Sequence, residues 1–84
     1  MPRFYFDVRE GKRFSADETG IEFDSVDAAE RAAATAAAEI GRDRLPRGEC
    51  REITIEMRNE HRHRVLTVSM EIHRVEPPPQ APRA

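Results

Sequence analysis

The chain has 84 residues, with 14 basic and 16 acidic side chains, a net charge of -2 and a single cysteine. A near-neutral balance gives no overall field that would attract nucleic acid or an anionic membrane, and one cysteine excludes an intrachain disulfide. Because so short a chain removes only about 60–65% of its unfolded surface from water, it has little room for a deep active site. These properties predict a single small domain, spanning residues 1–75, that is not an enzyme.

The N-terminal segment alternates as a half-buried strand does. Phe4, Phe6 and Val8 fall on one face, and polar side chains fall on the other. Glu10-Gly11 then predicts a tight hairpin turn, because glycine adopts the positive φ that such a turn requires.

A short returning strand is predicted at residues 12–15, with Phe14 directed inward. Asp17-Glu18-Thr19-Gly20 is a turn signal, acidic at its start and glycine at its end. A brief extended piece at residues 21–23 then leads into a helix.

One long helix is predicted from residue 25 to residue 44. Asp24 or Ser25 caps its start, and Pro46 and Gly48 stop it. Its alanine-rich middle favours helix strongly, and an apolar stripe predicts that one face packs closely on a sheet. The stripe comprises Val26, Ala29, Ala33, Ala36, Ala37 and Ile40.

Two further strands follow the helix. Ile53, Ile55 and Met57 alternate with polar residues, and a second run alternates in the same way over residues 65–73. The order β-β-α-β-β predicts an α+β fold, an antiparallel four-stranded sheet with one long helix packed on one face. Residues 76–84 are rich in proline and are expected to form a disordered tail.

Location and chemistry are predicted mainly from what the sequence lacks. No run approaches the ~18 apolar residues of a membrane span, and Asp7, Arg9 and Glu10 interrupt any signal-peptide core. A cytoplasmic protein without a membrane partner is therefore expected. No phosphate-binding loop or serine elbow is present, and Cys50 is interpreted as a passive thiol. No catalytic residue, metal site or cofactor is predicted.

Polar side chains concentrate in the last hairpin. His61 and His63, two residues apart, would share one face of a strand, but a metal site needs further ligands. The alternative interpretation of this hairpin is an ordinary solvated tip. The candidate anion or nucleic-acid patch comprises Arg58, His61, Arg62, His63 and Arg64, to which Lys12 and Arg13 on the other hairpin tip could add.

Three features of the chain carry a resemblance: the opening Met1-Pro2-Arg3-Phe4-Tyr5-Phe6-Asp7, the turn at residues 17–20 and the alanine-rich helix starting at Ala28-Ala29. In these features the chain resembles a family of short uncharacterised bacterial proteins, a domain of unknown function. The resemblance covers residues 2–73 and implies the same fold without implying an activity. It departs at the last hairpin, where a glycine is usual and His61-Arg62-His63 stands. A looser likeness, in element order alone, is to HicB-type antitoxins.

Three functional hypotheses follow. The first is a non-catalytic protein–protein interaction module that self-associates, because the strand edges cannot all be paired internally. The alternative is a nucleic-acid-associated or antitoxin-like regulatory protein that uses the Arg-rich hairpin tips and binds less tightly as salt rises. An enzyme or metal protein using His61, His63 and His73 ranks last. The expected partner is a second copy or another protein.

Overall fold

A computed structural model describes residues 1–76 of the chain. Its element order confirms the predicted α+β fold, one helix with an antiparallel sheet, and adds a two-residue strand after the first hairpin. The predicted tail, residues 76–84, lies outside the described residues except for Glu76. The elements are β1 Arg3–Glu10, β2 Arg13–Ser15, β3 Ile21–Glu22, α1 Val26–Arg44, β4 Glu52–Arg58 and β5 Arg64–Glu71.

The strands are arranged in the order β2-β1-β4-β5, and β3 pairs with the other end of β1. The register of the two central strands sets Val8 opposite Ile55, and the next ladder sets Ile55 opposite Val68. Because residues opposite each other in a ladder share a face, the alternation of the three long strands produces one apolar face and one polar face.

Helix α1 covers the apolar face over β4 and β5. It begins after the cap residue Ser25, whose Oγ accepts a hydrogen bond from the Ala28 N–H at 3.1 Å. Its buried residues are all small, and a Cβ built on Gly41 would lie 3.1 Å from Met70 Cε. Methyl groups and glycine therefore bring the helix close to the sheet, as predicted.

The core lies between α1 and the sheet. Ile53, Ile55 and Met57 on β4 are fully buried, and Ile55 and Met57 pack against alanines of the helix. Phe23, just after β3, stacks on Phe6 with ring centroids 5.9 Å apart, and both rings pack against the cluster that contains Ala29 of the helix. Within residues 1–76, no helix is long and apolar enough to cross a membrane.

Two predicted core positions were wrong. Phe14 is 48% exposed because its register partner is Arg9, on the polar face, and the Arg9 guanidinium lies 4.9 Å from the ring centroid. Val26 is 46% exposed because it is the first residue of α1, and full burial of the helix starts one turn later, at Ala29.

Candidate functional site

The first candidate site is the outer edge of β5. Among the described residues, this eight-residue strand is hydrogen-bonded only to β4. The Ile72 N–H donates to the Arg51 carbonyl at 2.9 Å, and this bond shows which residues of the strand direct their backbone groups toward β4. Hydrogen bonding alternates along an antiparallel pair, so the backbone groups of Thr67, Ser69 and Glu71 point away from β4.

Within the part of the chain that the structure describes, the middle of this open edge carries none of the features that block pairing with another strand. Edge strands are usually protected by proline, lysine, a strong bulge or a covering segment. Within β5 there is no proline or lysine, and its only register shift lies at its start, between Met57 and Arg58 on the paired strand. The described residues thus leave a regular template for a further strand.

The two ends of β5 differ in charge. Arg64 begins the strand and Glu71 ends it. The Arg64 guanidinium lies 3.4 Å from the Glu56 carboxylate, yet its side chain is 65% exposed, and the Glu71 side chain is half exposed. A strand of the same sequence running antiparallel would therefore meet the opposite charge at each end.

A second cluster, here called the Asp7 network, comprises Asp7, Asp17 and Arg58. The Asp7 carboxylate, on a residue only 8% exposed, accepts a hydrogen bond from Arg58 Nε at 2.8 Å and another from the Asp17 N–H at 2.9 Å. Arg58 Nη2 also donates to the Asp17 carbonyl at 2.9 Å. The network thus ties β1, the turn at residues 17–20 and β4 together.

Asp17 also organises the turn itself. Its carboxylate accepts hydrogen bonds from the N–H groups of Phe6, Thr19 and Gly20, each at 3.0 Å. Burial by itself would raise the pKa of Asp17, but these three donors and the charge of Arg58 outweigh it and lower the pKa below its ordinary value. Asp17 is therefore held ionised as a structural acceptor.

The Asp7 network also involves Tyr5 of the N-terminal motif and Gly20 of the turn at residues 17–20. The Arg58 guanidinium lies 4.8 Å from the centroid of the Tyr5 ring, and Gly20 lies against the same ring. The hydrogen bond to Asp7 outweighs desolvation and raises the pKa of Arg58. These side chains serve to hold the turn onto the sheet, a role that the sequence interpretation missed because it depends on the register of β1 with β4.

The predicted basic patch is only partly assembled. Arg58 is engaged in the Asp7 network, whereas Arg62 and Arg64 are exposed near the loop, as are His61 and His63, whose ring centroids are 6.3 Å apart. Within residues 1–76, no group of three or more His, Cys, Asp or Glu side chains is placed to hold a metal ion.

Lys12 and Arg13 do not join this patch. Their hairpin follows Glu10, which pairs with Ile53 near the start of β4, whereas Arg58 is at its end. A strand of that length spans roughly 20 Å, so the two hairpin tips lie at opposite ends of the sheet. Nucleic-acid binding stays a prediction, with Arg62, Arg64 and the two histidines as its remaining basis.

A shallow depression beside Cys50 is lined by Arg13, Arg44, Glu10 and Glu49. The Arg44 guanidinium lies there, bound by the Glu10 carboxylate at 3.3 Å and by the Glu49 carboxylate at 3.0 Å. Cys50 itself is half-buried, and its interpretation as a passive thiol stays a prediction.

Residues 1–76 form a small α+β domain with a helix on one face of the sheet and a long outer strand, β5, that is hydrogen-bonded on one side. The chain belongs to a family described as a domain of unknown function (DUF6894), whose model matches residues 3–71. This match confirms the resemblance seen in the sequence and runs from the first residue of β1 to the last residue of β5. Searches of curated proteins and of solved structures return no significant match.

Proposed function

We propose that this domain is a non-catalytic protein–protein interaction module that self-associates by pairing β5 with β5 of a second copy. The observation that carries the proposal is the outward direction of the backbone groups of Thr67, Ser69 and Glu71 along an otherwise regular strand. Added main-chain hydrogen bonds supply affinity in such pairing, and the side chains supply specificity.

The charges on β5 favour a second copy over an unrelated strand. Arg64 and Glu71 stand at opposite ends of the strand and on the same polar face, since their register partners Arg58 and Glu52 alternate along β4 with the buried residues. Antiparallel pairing of two copies brings each Arg64 near the Glu71 of the other. This arrangement makes the edge complementary to itself.

The proposal is tested with a proline in the middle of β5. Thr67→Pro removes an outward N–H that makes no bond to β4, and proline is tolerated at such positions of edge strands. Pairing of two copies then loses two hydrogen bonds, about 2 kcal/mol in total, which is roughly thirtyfold in Kd. Thr67→Val is the matched control, because it keeps the N–H and the β-branched shape.

Sedimentation velocity over a concentration series measures the effect. The unmodified chain and Thr67→Val are expected to form a dimer, and Thr67→Pro is expected to sediment as a folded monomer at the same concentrations. A chain that stays monomeric throughout the series, or a Thr67→Pro variant that dimerises as tightly as Thr67→Val, would refute the proposal.

A further inference from the structure

We infer that the two copies meet about a two-fold axis passing by Val68, and that this axis also brings their α1 helices into contact through Ala34 and Ala38. The inference rests on the proposed pairing of β5. It adds a defined register and a second contact surface, so that the partner recognises a helix as well as a strand.

The register follows from the faces of β5. A two-fold axis perpendicular to the sheet keeps the apolar face of both copies on the same side, so apolar residues must meet apolar residues. With the axis at Val68, Leu66 lies opposite Met70 of the second copy, and the outward groups of Thr67 lie opposite those of Ser69. A shift of the axis to Thr67 would leave Met70 opposite the irregular start of the strand.

The same axis sets the spacing of the helices. Neighbouring strands lie about 4.8 Å apart. Because α1 lies over β4 and β5, its helix axis runs about half a strand spacing inside β5, whereas the two-fold axis lies half a spacing outside β5. The helix axis is therefore about 5 Å from the two-fold axis. The two helices are therefore about 10 Å apart, close to the 8–10 Å at which helices pack. Pairing at β5 thus brings them into contact range without any rearrangement.

The helix side that faces the axis carries small residues. Gly41 contacts Met70 on β5, which marks the β5 flank of α1. Ala34 and Ala38 precede Gly41 by seven and three residues, so they lie on the β5 flank. Both are exposed in the single chain.

The position along the helix agrees with the register of the strands. Ala33 and Ala37 pack in the same cluster as Val68. The axis beside Val68 therefore passes the middle of α1, where Ala34 of one copy faces Ala38 of the other. Antiparallel helices also set the acidic first turn of one copy beside the basic last turn of the other.

The test introduces a carboxylate on this flank. Ala38→Glu places like charges on both sides of the axis and is expected to raise the Kd of the dimer by about tenfold or more. Ala34→Glu is expected to act in the same way. Thr35→Glu is the control, because Thr35 is exposed on the side of α1 that faces away from the sheet, and its dimer is expected to match that of the unmodified chain. Circular dichroism checks that each variant keeps its helix.

The outcomes separate this inference from the proposal beneath it. If Thr67→Pro abolishes the dimer while Ala34→Glu and Ala38→Glu leave its Kd unchanged, β5 pairs without helix contact and the inference is wrong. If the unmodified chain is a monomer, the pairing itself is wrong. A dimer weakened by Ala38→Glu and by Thr67→Pro, but not by Thr35→Glu, supports both.

Discussion

Removal of the carboxylate of Asp7 is expected to destabilise the fold by about 2–3 kcal/mol. Asp7→Ala deletes two charge-assisted contacts from Arg58, at 2.8 and 3.4 Å, and leaves the Asp17 N–H without its acceptor at 2.9 Å. The contact at 3.4 Å is longer than an ordinary hydrogen bond, so the pair counts as one bond to a charged group, about 1.5–3 kcal/mol, and the unsatisfied donor adds about 1 kcal/mol. The Arg58 side chain is 28% exposed, so water replaces part of the loss and favours the lower end of that sum.

A double-mutant cycle isolates the ion pair from the other contacts. Arg58→Met keeps most of the aliphatic stem and removes the guanidinium, together with its contact to the Tyr5 ring. Urea unfolding of the unmodified chain, Asp7→Ala, Arg58→Met and the double variant, all at one protein concentration, gives the coupling free energy. We expect a coupling of about 1–2 kcal/mol. Strict additivity of the two single variants would refute the role of this pair in holding the turn on the sheet.

Three further changes test particular backbone and charge positions. Gly20→Ala is expected to lower the free energy of unfolding more than Gly48→Ala. Both glycines have φ 74°, but only at Gly20 would a Cβ come within 2.8 Å of Tyr5 Cε2. Arg62→Gly is expected to stabilise the fold by about 0.5–1 kcal/mol and so to raise the melting temperature, because Arg62 has φ 68°, which glycine adopts without strain. Arg62→Ala is expected not to raise it. Asp17→Asn is expected to flatten the acid limb of a stability–pH curve. Because the pKa of Asp17 is lowered in the folded state, its carboxylate stabilises the fold at pH values above the ordinary carboxyl pKa, and this contribution is lost as pH falls through the folded-state pKa.

The order of elements could be predicted because each depends on local pattern. Ser25 and the alanine run specify α1 through capping and propensity, and alternation specifies β1, β4 and β5. A three-residue strand such as β2 is too short for alternation to fix its phase. The face of Phe14 therefore depended on the hairpin before it, and the inward assignment was wrong.

The candidate site was harder to predict because it depends on register. From the sequence, Asp7 is predicted to be one polar residue on the exposed face of a strand. It becomes buried only when the turn at residues 17–20 folds over it. Arg58 reads as part of a basic hairpin tip, and its pairing appears only when β1 lies beside β4. The sequence did predict unpaired strand edges, but the strand order was needed to place β5 at an edge, and β5 is far longer than β2 at the other edge.

Amide hydrogen exchange of β5, followed residue by residue by NMR at high and low protein concentration, tests self-association most directly. Leu66, Val68 and Met70 donate toward β4 and are expected to be protected at every concentration. The N–H groups of Thr67 and Ser69 point outward and are expected to become protected only where the dimer is populated. Fast exchange of these two amides at all concentrations, beside protected neighbours, would contradict the pairing of β5 with a second copy.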